Sequence, residues 1–226
     1  NVRANPHETV MKKSQLFSGM DEDEIVSMLK CLSVTKRVFR RGESIYSAGD
    51  VITRVAMVLE GSVYIEREDY WGNNSILSDI TAGELFGEVY AMLGREPATI
   101  NATAASSCTV MMMDINRVFM TCETTCPYHT RLIRNLTYVV ASKNRTLTSK
   151  LGYLSQRTTR GKLMAYLSEQ SVRCGSPSFD IPFNRQQMAD FLSVDRSAMS
   201  KELGRLRDEG ILDFNKNHFI LKEKQQ

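Results

Sequence analysis

The sequence predicts an α+β fold, with an N-terminal double-stranded β-roll of the jelly-roll type, one long helix, and a helical C-terminal part that ends in a β-hairpin. Three observations predict it. Turn glycines separate short strand-like runs between residues 34 and 114, an apolar stripe of helical period covers residues 127–154, and two capped short helices precede two further strand-like runs. The predicted segments are residues 1–126, 127–154 and 155–226.

The composition is that of a globular chain, with 42% hydrophobic and 24% charged residues. No apolar run approaches the roughly 20 residues of a membrane span. The opening NVRANPHETVMKKSQ lacks the apolar centre of a secretory signal. Five scattered cysteines, an odd number, do not resemble a disulfide framework. We therefore expect a cytoplasmic protein with mostly reduced thiols and no membrane partner.

The N-terminal segment begins with helices over residues 9–32, where Asp21 and Glu24 form a capping-box pattern. From residue 34 the texture changes to strands, in the runs SIYSA, RVAMVLE, SVYIERE and NSILSDI. The glycines expected in the turns between them are residues 42, 49, 61, 72, 83, 87 and 94. This regular strand–turn spacing is typical of an all-β sandwich or barrel.

The stripe over residues 127–154 predicts a helix about 40 Å long. Its apolar members, at spacings of three or four or their sum, are Leu132, Leu136, Val139/Val140, Leu147, Leu151 and Leu154. One small barrel cannot cover so long a helix, so a second copy of this chain is the simplest partner for the remainder of the stripe. The alternative is a helix packed entirely on its own barrel.

The C-terminal segment starts with the polar run LSQRTTR at residues 154–160, a candidate hinge, and continues with a helix over residues 161–172. A turn-rich link follows. Residues 184–207 then read as two short helices joined by a tight turn, and the runs ILDF and HFIL flank Asn215-Lys216-Asn217 as a β-hairpin. Helix–turn–helix followed by a hairpin is the winged arrangement.

The helix pair has the local signals that such a motif needs. Asn184 is a good N-cap, with Gln187 three residues on, and Asp195 caps the second helix. Small Ala189 permits a close helix crossing, and Val194 fills the turn. The residues expected to face inward are Met188 and Leu192 on the first helix and Met199, Leu203 and Leu206 on the second.

The opposite face of the second helix is polar and basic, and carries Arg196, Ser197, Ser200, Lys201 and Arg207. A major groove admits one α-helix, where Arg196 and Lys201 could donate to guanine O6 and N7. We expect Arg185, Gln186 and Lys216 to contact backbone phosphates. The whole net charge of +3 lies in residues 155–226, which suits double-stranded DNA as the partner. The alternative is an ordinary helix pair with a solvated charged face.

At this point the chain resembles the CRP/FNR superfamily of bacterial transcription regulators. Four segments occur in that family's order: RGESIYSAGD, VLEGSVYI, TAGELFGE and NRQQMADFLSVDRSAMSKEL. The resemblance implies a cyclic-nucleotide-binding-type β-roll, a long dimerisation helix and a C-terminal winged helix–turn–helix. It also implies a homodimer that binds two-fold operator half-sites, with RNA polymerase as a further partner if the protein is an activator.

The resemblance places Arg196, Ser197, Ser200 and Lys201 where the family touches bases. The best-known members have Glu in place of Ser197 and Arg in place of Lys201. A carboxylate accepts from cytosine whereas a serine discriminates little, so we expect a different operator. Glu202 also replaces a residue that is usually apolar.

The family's small-molecule site is only partly kept. Gly87 and Glu88 match its ribose- and phosphate-binding cassette, but Glu96-Pro97-Ala98-Thr99 stands where cyclic-AMP binders place an Arg-Ser or Arg-Thr pair. The helical Thr148-Ser149 pair is one residue out of register, about 100° around the helix. We therefore expect an effector other than cyclic AMP, with cyclic AMP or no small effector as alternatives. The candidate effector-binding residues are Gly87, Glu88, Arg95, Thr99 and Thr148.

A thiol or redox switch is a second alternative, since Cys122 and Cys126 stand one helical turn apart with His129 nearby. Too few ligands accompany them for a metal or haem site, so no cofactor is predicted. An enzyme is not expected either. The sequence has only three histidines and contains no nucleophile elbow, P-loop or Cys/His/Asp metal cluster. A cyclic-nucleotide-binding module serving another protein would have no need of a helix–turn–helix.

Overall fold

A computed structural model describes residues 7–72, 74–119 and 127–222. The chain divides into two compact units, with the boundary between Ser142 and Lys143. No helix in the described ranges is both long and apolar enough to cross a membrane.

The first unit begins with α1 (Glu8–Lys13), a 3₁₀ turn (Gln15–Phe17) and α2 (Glu22–Cys31). The predicted capping box is confirmed. The Glu24 N–H donates to Asp21 Oδ1, and the Asp21 N–H donates to Glu24 Oε2, both over 2.9 Å. These two bonds satisfy backbone donors that the first turn of α2 cannot pair internally.

Eight antiparallel strands form two four-stranded sheets, in the orders β1-β8-β3-β6 and β2-β7-β4-β5. The strands are β1 (Thr35–Phe39), β2 (Ser44–Tyr46), β3 (Arg54–Glu60), β4 (Ser62–Glu68), β5 (Asn74–Thr81), β6 (Leu85–Phe86), β7 (Asn101–Ala104) and β8 (Cys108–Asp114). Two short helices, α3 (Glu88–Leu93) and α4 (Ile115–Phe119), accompany them. The predicted double-stranded β-roll is confirmed. The four predicted runs contain β2, β3, β4 and β5, whereas β1, β6, β7, β8 and the short helices α3 and α4 had no predicted segment of their own.

Each of the seven predicted turn glycines has a positive φ, between 76° and 94°. Gly61 shows why glycine is needed there, because a Cβ at this position would collide with the carbonyl oxygen of Ser107. Apolar side chains including Val58, Val63 and Val110 form one core cluster of the roll and are fully buried. The alternation of turns and buried runs is therefore what builds the roll.

The long helix α5 (Pro127–Leu154) has the predicted bounds. Within the first unit, Leu132 and Leu136 are buried, and Asn135 Nδ2 donates to the carbonyl oxygens of Leu16 and Ser18 over 2.9 Å. Its last residues belong to the second unit.

The second unit contains α6 (Thr159–Cys174), β9 (Ser178–Asp180), α7 (Arg185–Leu192), α8 (Arg196–Asp208), β10 (Leu212–Asn215) and β11 (His218–Leu221). Its antiparallel sheet has the order β10-β11-β9, which confirms the winged helix–turn–helix. Helix α6 is two residues longer at each end than predicted, because Thr158 caps its start and Gly175 ends it with a left-handed backbone. The predicted link contains β9, a three-residue strand whose pairing with β11 has no local signal.

Candidate DNA interface and effector site

Three groups of hydrogen bonds hold the helix–turn–helix in shape. The Asn184–Gln187 capping box at the start of α7 is confirmed, with both bonds at 2.9 Å. Asp195 Oδ1 accepts from the Ala198 N–H at the start of α8 over 2.7 Å. At the other end of α7, Lys162 Nζ donates to the carbonyl oxygens of the last two residues before the turn, Leu192 (3.1 Å) and Ser193 (3.2 Å). A lysine at a helix C-terminus also complements the helix dipole.

The inward faces of both helices agree with the prediction. All of Met188, Ala189, Leu192, Met199, Leu203 and Leu206 are buried, and Val194 packs partly against the same core. Since the buried stripe occupies one side of α8, its other side is left to solvent.

That exposed side carries Arg196, Ser197, Ser200 and Lys201. Both serines use their hydroxyl protons within their own turn. Ser197 Oγ donates to Asp195 Oδ1, and Ser200 Oγ donates to the Arg196 carbonyl over 2.9 Å. Hydrogen bonds from Ser197 and the backbone hold the pKa of Asp195 below its usual value. The serines therefore present acceptor oxygens outward, which fit the amino groups of adenine or cytosine.

Two arginines of this unit lie against the hairpin. The Arg185 guanidinium sits 4.8 Å from the ring centre of Phe214 and 5.0 Å from that of Phe219, and Arg207 sits 5.2 Å from Phe214. Burial lowers the pKa of Arg185, which still remains charged. These cation–π contacts occupy the guanidinium faces, so only the N–H edges can reach a phosphate.

The other two residues predicted to contact phosphates are exposed. Gln186 Nε2 donates to Asp190 Oδ1 one turn along α7, over 2.8 Å. Lys216 lies in the two-residue loop between paired Asn215 and His218, with φ at 52°.

Glu202, the departure from the family pattern, is 14% exposed and lies between two arginines. Its carboxylate oxygens are 3.5 Å from Arg160 Nη1 and 3.4 Å from Arg205 Nη1. Arg160 makes its shorter bonds to Glu209, at 2.6 and 2.9 Å, and so links α6 to the end of α8. Neighbouring Leu203 is buried and supplies apolar packing.

No sequence pattern indicated that Lys162 and Arg160 support α7 and α8. Their partners lie 30 to 49 residues away along the chain, and no spacing rule connects them. A basic residue near the start of α6 is by itself an ordinary surface residue.

In the first unit, Gly87 precedes α3 with φ at 76°. The positive φ favours glycine at this position, and a Cβ on Gly87 would lie in tight contact with Tyr46, 3.1 Å from its Cε2. The Tyr46 hydroxyl donates to the Arg54 carbonyl over 2.8 Å, and burial raises its pKa to about 12. Glu88 is buried.

The other effector candidates are exposed. Arg95 lies in the turn after α3. Thr99 Oγ1 is 2.8 Å from the Tyr90 hydroxyl, which ties α3 to the segment before β7. Thr148 belongs to the second unit, and its Oγ1 is 3.4 Å from Asn144 Oδ1. Its neighbour Ser149 donates to Glu169 on α6 over 2.9 Å, so that hydroxyl has a partner within the second unit.

The predicted thiol pair, Cys122 and Cys126, lies outside the described residues. His129 is buried. Among described side chains, no three His, Cys, Asp or Glu residues come together as a metal site. Cys31 and Cys174 are exposed, and Cys108 is buried.

A β-roll, a long helix and a winged helix–turn–helix together are the architecture of a DNA-binding regulator. Two family models match this chain in that order: the cyclic nucleotide-binding domain over residues 36–125 and the Crp-like helix-turn-helix domain over residues 161–226. The chain belongs to the CRP/FNR family of transcription regulators.

Relatives support this assignment over nearly the whole length. The chain is 26% identical over 203 residues to the "Cyclic AMP receptor protein" of Thermus thermophilus, covering 89% of each. It is 18% identical over 222 residues to the "CRP-like cAMP-activated global transcriptional regulator" of Mycobacterium tuberculosis, covering 96% of each. The printed name of the Mycobacterium relative is that of a transcriptional regulator.

Solved structures share the fold. The catabolite activator protein of Thermus thermophilus has a TM-score of 0.51 at 21% identity, over 93% of this chain and 94% of that one. The c-di-GMP responsive global regulator CLP of Xanthomonas campestris has a TM-score of 0.55 at 17% identity, over 90% of this chain and all of that one.

Proposed function

We propose that this protein is a homodimeric regulator that binds a pseudo-palindromic operator in double-stranded DNA and responds to a small effector other than cyclic AMP. The observation that carries the DNA-binding part is the exposed polar face of α8, held over a fully buried stripe by two helix caps and Lys162. A helix presented in this way can enter a major groove without losing its own packing.

Base reading is assigned to the first two turns of α8. Arg196 and Lys201 are exposed donors suited to guanine, while Ser197 and Ser200 offer acceptors. Gln186, Lys216 and the N–H edges of Arg185 would contact phosphates and set the register. With Ser197 and Lys201 in place of the family's usual Glu and Arg, the operator should differ from the familiar consensus.

Dimerisation is assigned to α5. Leu147 and Leu151 lie one turn apart in the second unit and are 63% and 68% exposed, and Tyr138 in the first unit is 56% exposed. Large apolar side chains repeated along a helix are suited to pairing with a copy of that helix. The two recognition helices would then read half-sites about one helical turn apart.

The effector is proposed to differ from cyclic AMP because Thr99, at the position of the family's phosphate-binding pair, supplies no cation. A cyclic phosphate bound there would lack a charge-assisted partner. The alternative of cyclic AMP is favoured by the name of the Thermus relative. The Cys122/Cys126 switch stays a prediction, as does contact with RNA polymerase if the protein is an activator.

Selection from genomic fragments followed by footprinting tests DNA binding. A pseudo-palindrome is expected, and no sequence preference at moderate salt would contradict the proposal. Lys201→Ala should cost about 1–3 kcal/mol and relax preference at one base pair in each half-site. Lys216→Ala is the matched control. It is expected to weaken binding to all DNA sequences equally, and to reduce the slope of log affinity against log salt concentration by about 1 for each protomer. Uniform weakening by Lys201→Ala would instead make it a phosphate contact.

Sedimentation of a Leu147→Glu/Leu151→Glu double variant tests the dimer. Charges on this stripe should give a monomer of unchanged helix content that binds the operator more weakly. Val172→Glu is the control, because Val172 is 79% exposed on α6 and lies off the proposed interface. A double variant that remains dimeric would place the interface elsewhere.

Thermal-shift titration tests the effector. A ligand at about 100 times its dissociation constant adds about 2.7 kcal/mol of stability. No shift is expected with cyclic AMP or cyclic GMP. A saturable shift with cyclic AMP would support the alternative instead, and would leave the DNA-binding proposal untouched.

A further inference from the structure

A cleft of about 240 Å³ lies within the second unit and contains none of the residues assigned above to DNA or effector binding. Three elements form it. The end of α5 contributes Arg145, Ser149 and Tyr153 at helical spacing, α6 contributes a parallel row that includes Glu169 and Arg173, and Phe183 and Phe191 close it from the side of α7.

The floor of the cleft is aromatic. The Phe183 and Phe191 rings have centres 4.8 Å apart, and Tyr166 lies 5.5 Å from Phe191 and 6.2 Å from Phe183. Tyr153 meets Tyr166 edge to face at 5.5 Å. Such a cluster offers a flat apolar surface on which another planar ring can stack.

The wall of the cleft is polar and has a defined donor and acceptor pattern. Ser149 Oγ donates to Glu169 Oε1 over 2.9 Å, which orients the half-buried carboxylate. Burial, together with a hydrogen bond to Glu169, raises the pKa of Tyr153 to about 12, so the phenol stays neutral. A carboxylate has more acceptor sites than these neighbours use. Glu169 can therefore accept from a ring N–H or amino group.

The rim of the cleft is cationic. Arg145 and Arg173 line it and are exposed, and Lys150 Nζ lies 5.3 Å from the centre of the Phe191 ring. Two arginines and one carboxylate therefore line the cleft, and this excess of positive charge favours an anionic guest. Guanidinium groups pair with carboxylate or phosphate through two parallel N–H bonds.

We propose that this cleft binds a small planar aromatic anion. Its ring would lie against Phe183 and Phe191, its acidic group would pair with Arg145 and Arg173, and a ring N–H or amino group would donate to Glu169. The volume suits a mononucleotide or an aromatic carboxylic acid, and lies just below the usual range of about 300–1,000 Å³ for drug-sized ligands. Both kinds of ligand offer a planar aromatic ring and an acidic group.

The bound anion would act directly on the DNA-binding unit. Phe191 belongs to α7 and Phe183 precedes it, whereas Arg145 and Ser149 belong to α5. A ligand that touches both sides would stabilise their packing, and its effect on operator affinity rests on the DNA-binding function proposed above. This site is additional to the effector site proposed in the β-roll.

Isothermal titration of the full chain with guanosine 5′-monophosphate and with indole-3-acetate tests the proposal. At least one probe should bind saturably, and the probe that binds shows whether the ligand is a mononucleotide or an aromatic carboxylic acid. Its uncharged counterpart, guanosine or 3-methylindole, should bind about tenfold or more weakly, the loss expected when a charge-assisted pair is removed.

An Arg145→Ala/Arg173→Ala variant should lose about tenfold or more in affinity for the same probe. Both side chains are exposed, so the core stays intact. Arg157→Ala is the matched control, an exposed arginine between α5 and α6 that should leave binding unchanged. Glu169→Gln should weaken binding of the probe, while the similar size of the two side chains preserves the shape of the cleft. Absence of binding by both probes at millimolar concentration, or equal binding by the double variant, would overturn the proposal.

Discussion

Replacing Glu202 by leucine is expected to stabilise the DNA-binding unit, because this mostly buried carboxylate has only long ion pairs. Its contacts to Arg160 and Arg205 are 3.5 and 3.4 Å, beyond the roughly 2.7–2.9 Å of a good charge-assisted bond. Arg160 makes its short bonds to Glu209. The removal of Glu202 therefore leaves both arginines solvated and Arg160 still paired.

The expected gain follows from the burial of this side chain. Leucine adds two methyl groups in place of the carboxylate, each contributing about 0.8 kcal/mol when buried. With 14% of the side chain exposed, the transfer gain is about 1.4 kcal/mol. Loss of the ion pairs with the exposed arginines removes only a small part of this gain, since such pairs contribute little to stability. Leucine and glutamate have similar helix propensities, which leaves a net gain of about 1 kcal/mol.

Hydrogen exchange of the full chain, followed on peptides from α6 and α8, measures this change locally. Amide hydrogen exchange that requires the unit to open should become about fivefold slower if the free energy of unfolding rises by about 1 kcal/mol. Glu209→Leu is the matched control. It contacts the same arginine but is 46% exposed, so no gain is expected. Faster exchange in Glu202→Leu would refute the reasoning and show that the ion-pair network stabilises more than apolar packing does.

Three further predictions concern the caps and the turn of the helix–turn–helix. Asn184→Ala removes the acceptor for the Gln187 N–H and should lower the free energy of unfolding by about 1 kcal/mol in urea titrations, whereas Asn184→Asp should retain most of it. Ser193→Gly should raise the melting temperature, because φ at 50° is strained for serine by about 1 kcal/mol, offset in part by a freer unfolded chain. An equal gain from Ser193→Ala would contradict this. Asp195 has a lowered pKa, so its stabilising contribution is fully present above the ordinary value of 3.8 and is lost as pH falls through the lower folded value. In thermal unfolding measured between pH 7 and 3, Asp195→Asn should remove this loss of stability at acid pH. An unchanged dependence of the melting temperature on pH would argue against the role of Asp195.

Much of the fold follows from local signals in the sequence. The turn glycines at positions such as 61 and 87 mark where the backbone needs positive φ, and the structure has such a φ at each predicted position. The capping residues Asp21, Asn184 and Asp195 act on N–H groups three positions away, so spacing alone identifies them. Short elements such as α4 and β9, which are five and three residues long, were not predicted because they carry no such signal.

The roles of single side chains at the candidate site were harder to predict. Arg185 and Arg207 looked like simple surface cations, yet their guanidinium faces rest on Phe214 of the hairpin. Ser197 and Ser200 were expected to touch bases, but their protons are bonded within α8 and its cap, so only their acceptor capacity remains. A residue type identifies the groups that a side chain can offer, but its neighbours decide which of them remain available.

The sequence by itself determined the order of elements, the caps, the buried stripes and the polar face of α8, because each depends on residues within a few positions of one another. Only the tertiary structure decided the contacts that support the helix–turn–helix. Lys162 reaches the turn 31 residues later, and Arg160 reaches Glu209, 49 residues later. The aromatic cleft likewise joins α5, α6 and α7 within the second unit. Such pairings depend on how whole elements pack, a property that no local spacing encodes.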